Sequence, residues 1–520
     1  MHSKLIDALR HPDVYPHPVD DVELIETHIS WVLLAGAFVY KLKKPLDLGF
    51  LDFSLLDKRR FYCEEEVRLN RRTAPDIYLD VVAIGGTPEK PSLDGGDHPI
   101  EYAVRMRRFD VEAGFDHLLA DDRLEYGHVV DLGRQLARLH RIADKASPDS
   151  AFGDFDSVAD PMRDNFRVLG DRLDAESTGD RLAAIEKWTE SQLETHAPLI
   201  EARRRDGWIR ECHGDAHLGN VALIDGCATL FDCIEFSEDL RWIDVVSDLA
   251  FTVMDLRDRG AYGFAWLLLV EYLAHSGDYQ GIELLPLYMV YRALVRAKVN
   301  AFRLEDADAD RPGILEEIQS YLGLAEKIAG EERAAIVITM GVSGSGKSWL
   351  ARRLVASAGL VRMRSDVERK RLHGLDPEDS SDSGIEADLY SAEATERTYH
   401  GLVELAEPLI RAGIPALIDA ACLKQWQRAI FRDLAREREV PFAIVHCQAD
   451  QRILEERIER RAEAGDDPSE AGLEVLAHQK RSMEPLAEHE QADALILDTA
   501  EPDSTRVASD WITTRLSHHD

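Results

Sequence analysis

Eight consecutive residues restrict the possible folds of this chain more than any others: Gly341-Val342-Ser343-Gly344-Ser345-Gly346-Lys347-Ser348, with the apolar run Ala335 to Met340 before them and Trp349 to Ala356 after. The pattern is G-x-x-x-x-G-K-[ST] between a buried strand and the first turn of a helix, the context a phosphate-binding loop requires. Glycines at 341, 344 and 346 let the backbone, with Ser343 and Ser345, turn its N–H groups onto a polyphosphate. The helix N-terminus adds positive partial charge, and Lys347 reaches the outer phosphates. Ser348 would then hold Mg²⁺. The competing reading is a plain glycine-rich turn.

A chain of 520 residues exceeds one hydrophobic core, so two or three domains are expected. The formal charge of −35 argues against a protein that coats nucleic acid or anionic membrane, and leaves nucleic acid only a local basic cleft. Six cysteines are scattered without a C-x-x-C pair, which suits reduced thiols rather than a disulfide framework or a zinc site. No apolar run is long enough to span a bilayer and the N-terminus lacks a signal pattern, so a cytoplasmic, soluble protein with no membrane partner is expected. The best internal boundary is the acidic stretch Glu305 to Gly313, closed by Pro312-Gly313. It divides the chain into a domain over 1–312, a linker helix over 313–332 and a second domain over 333–520.

The first domain divides again. Residues 22 to 44 read as extended segments, among them Phe38-Val39-Tyr40-Lys41-Leu42-Lys43, which alternates apolar and basic residues up to Pro45. A lysine on such a strand can grip nucleotide phosphates, and the helix expected over Leu55 to Arg72 carries Glu64-Glu65-Glu66, one way to orient it. Strands over Tyr78 to Ile84 and Glu101 to Phe109 complete a β-rich lobe, about 20–110. Helices dominate from Tyr126 onward, in an α-rich lobe to about 305.

Within that lobe stands His213-Gly214-Asp215-Ala216-His217-Leu218-Gly219-Asn220. Asp225-Gly226, between Val221 to Ile224 and Ala228 to Phe231, is a tight hairpin signal. With that pair as the turn, Ile224 faces Cys227 and Asn220 faces Phe231, so Asn220 and Asp232 meet at the open end. An amide oxygen beside a carboxylate suits Mg²⁺. Asp215, on the loop before the hairpin, can accept a proton from a hydroxyl as phosphoryl transfer proceeds. His213 and His217 either hydrogen-bond this loop or ligate a metal.

On these residues, and on Phe231-Asp232 and Leu136-Ala137-Arg138-Leu139-His140, the stretch from about 20 to 305 resembles the aminoglycoside phosphotransferase family, which has a bilobal protein-kinase-like fold. The resemblance implies Asp215 as catalytic base, and Asn220 and Asp232 on Mg²⁺. It also implies Lys41 or Lys43 on the ATP phosphates, paired with Glu65 or a neighbour, and an interlobe hinge at Met106 to Phe109. The chain departs from the family in offering three lysines on that strand, and in placing Cys233-Ile234-Glu235 after Asp232.

In the second domain a short strand, Leu360 to Met363, runs into Arg364-Ser365-Asp366-Val367-Glu368-Arg369. Asp366 and Arg369 are three apart at a helix start and share a face, so together they can hold an acceptor hydroxyl near a phosphate. The alternative is a capping aspartate on a solvated basic helix. Asp419 ends the buried strand Pro415 to Ile418, where it can support Mg²⁺ or position the acceptor. Strands at Phe442 to Cys447 and Ala494 to Leu497 alternate with helices, which implies a parallel sheet with helices on both faces. Arg457, Arg460 and Arg461 lead into Ala462 to Gly472, either a lid that neutralises charge on the transferring phosphoryl group or part of a salt-laced exposed helix.

This half, about 333 to 500, resembles the P-loop kinases related to gluconate kinase, zeta toxins and polynucleotide 5′-kinases, through Gly341 to Ser348, Asp366-x-x-Arg369, Asp419 and the arginine-rich segment. The resemblance implies Asp366 as general base and Arg369 on the acceptor. The whole arrangement is similar to a bacterial class of two-module kinases. The expectation is an α/β and α+β multidomain chain, a protein-kinase-like fold followed by a three-layer P-loop domain. It would use ATP and Mg²⁺ to phosphorylate a hydroxyl of a small molecule such as a sugar, amino sugar or nucleoside. The rival readings are a polynucleotide 5′-hydroxyl end-repair kinase and a nucleotide-sensing regulatory protein.

Overall fold

The alternation in Phe38-Val39-Tyr40-Lys41-Leu42-Lys43 is that of a strand with one face toward a core and one toward charge, and the structure uses it so. In a computed structural model describing residues 2–49, 51–93, 95, 98–305, 310–375, 391–464 and 473–517, this stretch is the third strand of an antiparallel sheet. The strands are β1 (Val22–Glu26), β2 (Ser30–Ala35), β3 (Phe38–Lys43), β4 (Tyr78–Thr87), β5 (Lys90–Ser92) and β6 (Glu101–Arg107), in the order β1-β2-β3-β6-β4-β5. Tyr40 and Leu42 point into one core with Leu33, Ala103 and the helix His2–Leu9. Lys41 and Lys43, two apart, share the opposite face, and there the helix Leu56–Asn70 packs on β4 and β6.

Chain contacts gather into two compact units, Met1–Pro161 with Ala197–Thr252, and Met162–His196 with Val253–Asp520. The stretch Glu305 to Gly313 therefore lies inside the second unit.

The first unit adds two short ribbons to the sheet: β7 (Ile209–Glu211) with β10 (Trp242–Asp244), and the hairpin β8 (Val221–Ile224) with β9 (Cys227–Leu230). Asp225 and Gly226 both take positive φ, 52° and 83°, as a type I′ turn demands. Ile224 faces Cys227, and the Phe231 N–H donates to the Asn220 carbonyl at 3.0 Å, the register counted from the turn.

In the second unit, helices including Tyr262–Ser276, Leu285–Arg303 and Arg311–Ala329 accompany a five-stranded parallel sheet. Its strands are β11 (Ile336–Met340), β12 (Val361–Arg364), β13 (Ala416–Asp419), β14 (Phe442–Gln448) and β15 (Ala494–Asp498), in the order β12-β13-β11-β14-β15. All five residues of β11 are buried, because helices cover both faces of its sheet. Val337, Leu417 and Val445 pack on one side with Leu350, Leu354 and Ile512. Chain order reverses around β11, so the crevice at the carboxyl ends of β11 and β13 is where such a sheet binds ligands. Among the described residues, no helix is long and apolar enough to cross a membrane.

Arg203 and Asp244 form a bidentate pair at 2.6 and 2.8 Å in the first unit, each side chain 1% exposed. Removing one partner strands a buried charge, so Arg203→Ala should cost about 3–5 kcal/mol, read as a lower urea midpoint by tryptophan fluorescence.

Candidate active sites

In the first unit, the lysine face of β3 meets three carboxylates. Glu66, fully buried on the helix Leu56–Asn70, receives Lys41 Nζ at 2.9 Å on one oxygen and Lys43 Nζ at 2.8 Å on the other. Lys41 also bonds Asp232, and Lys43 bonds Glu235. The carboxylate that holds the lysines is thus the immediate neighbour of Glu65. One helical step is about 100°, and Glu65 consequently turns to Arg68, whose nitrogens donate at 2.9 and 2.8 Å. The two lysines part company as well: Lys43 is enclosed by glutamates, whereas Lys41 reaches the half-exposed Asp232 at the hairpin's open end. Burial alone would discharge Lys41, but Asp232 and then Glu66 outweigh it and raise its pKa well above the ordinary value.

The residues of the loop 213–220 lie together at that end. Asn220 Nδ2 donates to the Asp215 carbonyl at 2.9 Å and to its carboxylate at 3.1 Å, and His217 Nε2 is 3.5 Å from the same carboxylate. Asp232 takes φ +61°, a left-handed conformation uncommon for aspartate, and its N–H donates to the Tyr78 hydroxyl at 3.0 Å. The loop is braced from below by Asp248 of the helix Val245–Asp258, which accepts the His213 and Gly214 N–H groups at 2.9 Å each and His140 Nε2 at 3.1 Å. Burial would raise the Asp248 carboxyl, but His140 and the backbone donors overcome it and hold it well below the carboxylate range. His140, Cys212 and Asp248 lie close enough to ligate one ion, yet the Asp248 oxygens are already committed to the loop. His213 is structural: its Nδ1 accepts the Asp215 N–H at 3.3 Å while Nε2 meets the Phe231 carbonyl at 2.9 Å, which requires the neutral ring with the proton on Nε2. Asp248 was invisible as a site residue because it sits 35 positions from His213, on an apolar helical stretch that also carries Asp255 and Asp258.

In the second unit, the loop after β11 has the torsions of a phosphate cradle. Gly341, Gly344 and Gly346 have φ of +146°, +77° and +84°, and a Cβ on any of them would come within 2.5–2.7 Å of a neighbouring oxygen. The Ser343 N–H donates to Gln479 Oε1 at 2.7 Å, and the buried Ser345 hydroxyl has no hydrogen-bond partner among the described residues. Lys347 donates to the Val342 carbonyl at 2.9 Å, and burial lowers its pKa. A lysine whose partner is a neutral carbonyl, on a loop of positive-φ glycines that lines a cleft, fits an anion of the size of a polyphosphate. Ser348 Oγ donates to Asp419 Oδ1 at 3.2 Å, and Arg362 Nε to Asp419 Oδ2 at 3.0 Å. Burial would raise Asp419, but Arg362, Arg364 and Lys347 together hold it below the ordinary value, so it stays an oxygen donor suited to a divalent cation.

Asp366 and Arg369, on the helix Ser365–Leu372, stand 3.5 Å apart and line the same cleft as Lys347, Ser348 and Asp419, a space of about 1140 Å³. Arg457 and Arg460 also line it. Arg457 donates to the Gly344 carbonyl at 3.2 Å and to Thr499 Oγ1 at 2.8 Å, tying the loop to the end of β15. The Arg461 side chain and residues 465–472 of the expected lid lie outside the described residues. Thr499 and Gln479, which reach the loop, and Arg362, which reaches Asp419, escaped sequence reasoning because each comes from a separate element.

Fold and sites define the class: this is an enzyme of the kinase type, a phosphotransferase with two nucleotide-binding domains in one chain. Residues 91–285 match the model of the phosphotransferase enzyme family, and residues 336–486 match that of an AAA domain, so both resemblances drawn from the motifs hold. The chain is 28% identical over 464 residues to the uncharacterized protein Rv2004c of Mycobacterium tuberculosis, across 89% of this chain and 91% of that one. Among solved structures it is similar to a gluconokinase from Sinorhizobium meliloti, at 19% identity over 36% of this chain and 93% of that one with a TM-score of 0.26. It is also similar to a choline kinase from Cryptosporidium parvum, at 12% identity over 63% and 96% with a TM-score of 0.41.

Two outcomes follow from this geometry. Lys43→Met leaves Glu66 and Glu235 buried without their shared cation and should cost about 3–5 kcal/mol in urea unfolding, while Lys41→Met, which keeps the Lys43–Glu66 pair, should cost less. His213 has its pKa lowered from 6.5, with burial the largest cause. Its contribution to stability is therefore present above about pH 6.5 and is lost as pH falls through the lower, folded value. Urea midpoints measured against pH should drop on acidification in the wild type and change less in His213→Asn.

Proposed function

We propose that the chain transfers the γ-phosphoryl group of ATP, with Mg²⁺, to a hydroxyl of a small molecule such as a sugar, an amino sugar or a nucleoside. The observation that carries this reading is the single cleft in which Lys347, Ser348 and Asp419 face Asp366 and Arg369. A phosphate-binding loop, a candidate cation ligand and an acid–base pair on one wall are the parts an in-line transfer needs.

In that cleft Lys347 and the loop amides would bind and orient the phosphates, and Ser348 and Asp419 would hold Mg²⁺. Asp366 would accept the hydroxyl proton, and Arg369 would fix the acceptor. Arg457 and Arg460 are the cations nearest to neutralise charge that develops on the transferring group. In the first unit Lys41 would meet the nucleotide phosphates, and Asn220 and Asp232, both hard oxygen donors, would hold the cation. The ammonium now resting on Asp232 marks that carboxylate as a place where positive charge is stabilised. Asp215, kept in place by Asn220 and the braced loop, would take the proton. Bound Mg²⁺ supplies charge neutralisation of the phosphates in either site.

The test is ADP release against a panel of sugars, amino sugars, nucleosides and 5′-hydroxyl oligonucleotides, comparing wild type with Asp215→Ala and Lys347→Ala. Acceptor-dependent release should fall by about 10²-fold or more in the variant of the working site. Stimulation by oligonucleotides alone would replace the small-molecule reading with end repair. No stimulation by any acceptor, with ATP bound, would overturn phosphotransfer in favour of nucleotide sensing.

A further inference from the structure

The helix Ser365–Leu372 is short, and its role depends on its orientation. Asp366 and Arg369 face the cleft. Glu368 and Arg371 each stand two residues further on, roughly 200° around the helix axis, so the second pair occupies the face turned away from the cleft. That face is clamped. Tyr279 Oη, just before the turn Gln280–Leu284, donates to Glu368 Oε1 at 3.1 Å, and both side chains are almost fully buried. Arg371 bonds Glu368 and also donates to the Ala274 carbonyl at 2.6 Å and the Leu273 carbonyl at 3.3 Å, the last turn of the helix Tyr262–Ser276. A guanidinium there meets the Ala274 carbonyl at the helix end, shares the Leu273 carbonyl with the Gly277 N–H, and sits at the negative end of the helix dipole. Gly277, with φ +70°, a conformation that favours glycine, ends that helix, and a Cβ on it would lie 3.0 Å from Arg371 Nε.

Neither Glu368 nor Arg371 reaches the cleft, and Tyr279 belongs to the helical stretch that precedes the phosphate-binding loop in sequence. Burying a tyrosine, a carboxylate and part of a guanidinium is costly unless the three satisfy one another, so this arrangement has one well-defined geometry. We infer that Tyr279, Glu368 and Arg371 are positioning residues for the P-loop site, holding the helix Ser365–Leu372 so that Asp366 and Arg369 present themselves to the acceptor. Helices from the stretch 253–330 are then part of the P-loop active site. The inference rests on the phosphotransfer reading of that cleft.

The experiment uses the full chain in an Asp215→Ala background, so that turnover reports the P-loop site, with Tyr279→Phe, Arg371→Met and Arg371→Lys added. In Arg371→Met, the kcat/KM for the panel acceptor should fall about tenfold or more, the scale of one charge-assisted hydrogen bond, while the KM for ATP stays within about threefold. Arg371→Lys, which keeps a donor for the two carbonyls, should recover most of that loss. Amide hydrogen exchange across 365–372 should quicken about tenfold or more in Arg371→Met and Tyr279→Phe, with β11 and β13 unchanged. Unchanged exchange in both variants overturns the inference, as does a parallel loss of acceptor and ATP parameters. If no panel compound turns over, the phosphotransfer reading fails by itself, and the exchange comparison still upholds or overturns the clamp.

Discussion

A charge removed from water must meet its opposite, and most of this structure follows from where that happens. Lys41 and Lys43 can lie buried on β3 only because Glu66 answers both and Asp232 and Glu235 complete the set. The cost of leaving any member unpaired fixes the helix Leu56–Asn70 against the sheet and draws the residues after β9 toward it. Asp248, paired with His140, acts in the same way beneath the loop 213–220, and Asp419 does so beside Arg362. These pairs do not make the fold stable in the way its apolar cores do. They make it specific, since few alternative packings satisfy every partner.

The two candidate sites are built by different physics. In the first unit the candidate groups are side chains carried on a strand, a loop and a hairpin, so their relative positions depend on packing among all three. In the second the candidate cradle is a loop of glycines at positive φ, and Lys347 at its end lines the cleft. A backbone cradle is encoded locally, whereas a side-chain site needs tertiary contacts. This difference explains why the second could be read from eight letters and the first needed a counted hairpin.

That contrast recurs in how much was legible. The parallel sheet, the hairpin register around Asp225-Gly226 and the shared face of Asp366 and Arg369 all come from short-range rules, and they recur in the structure within a residue or two. The choice of Glu66 over Glu65 did not, because it turns on the phase of a helix relative to a strand whose Lys43 lies 23 residues away. Nor could the chain show that Lys43 pairs with the buried Glu235 while Lys41 pairs with the half-exposed Asp232, since the two lysines are equivalent in pattern and are distinguished only across the fold.

Taken alone, the sequence determined the local parts from which the candidate sites are built: a glycine loop between a strand and a helix, a hairpin with Asn220 and Asp232 at its open end, and an aspartate and an arginine one helical turn apart. Those are consequences of torsion angles and of 3.6- and 2-residue periods, which act over a few residues. Tertiary structure alone decided which carboxylate receives which lysine, that Asp248 braces the loop, and that Tyr279 and Arg371 hold the helix of Asp366. Each of these is a pairing of buried polar groups far apart in the chain, and such a pairing has no local signature because the burial that makes it necessary exists only once the chain has folded.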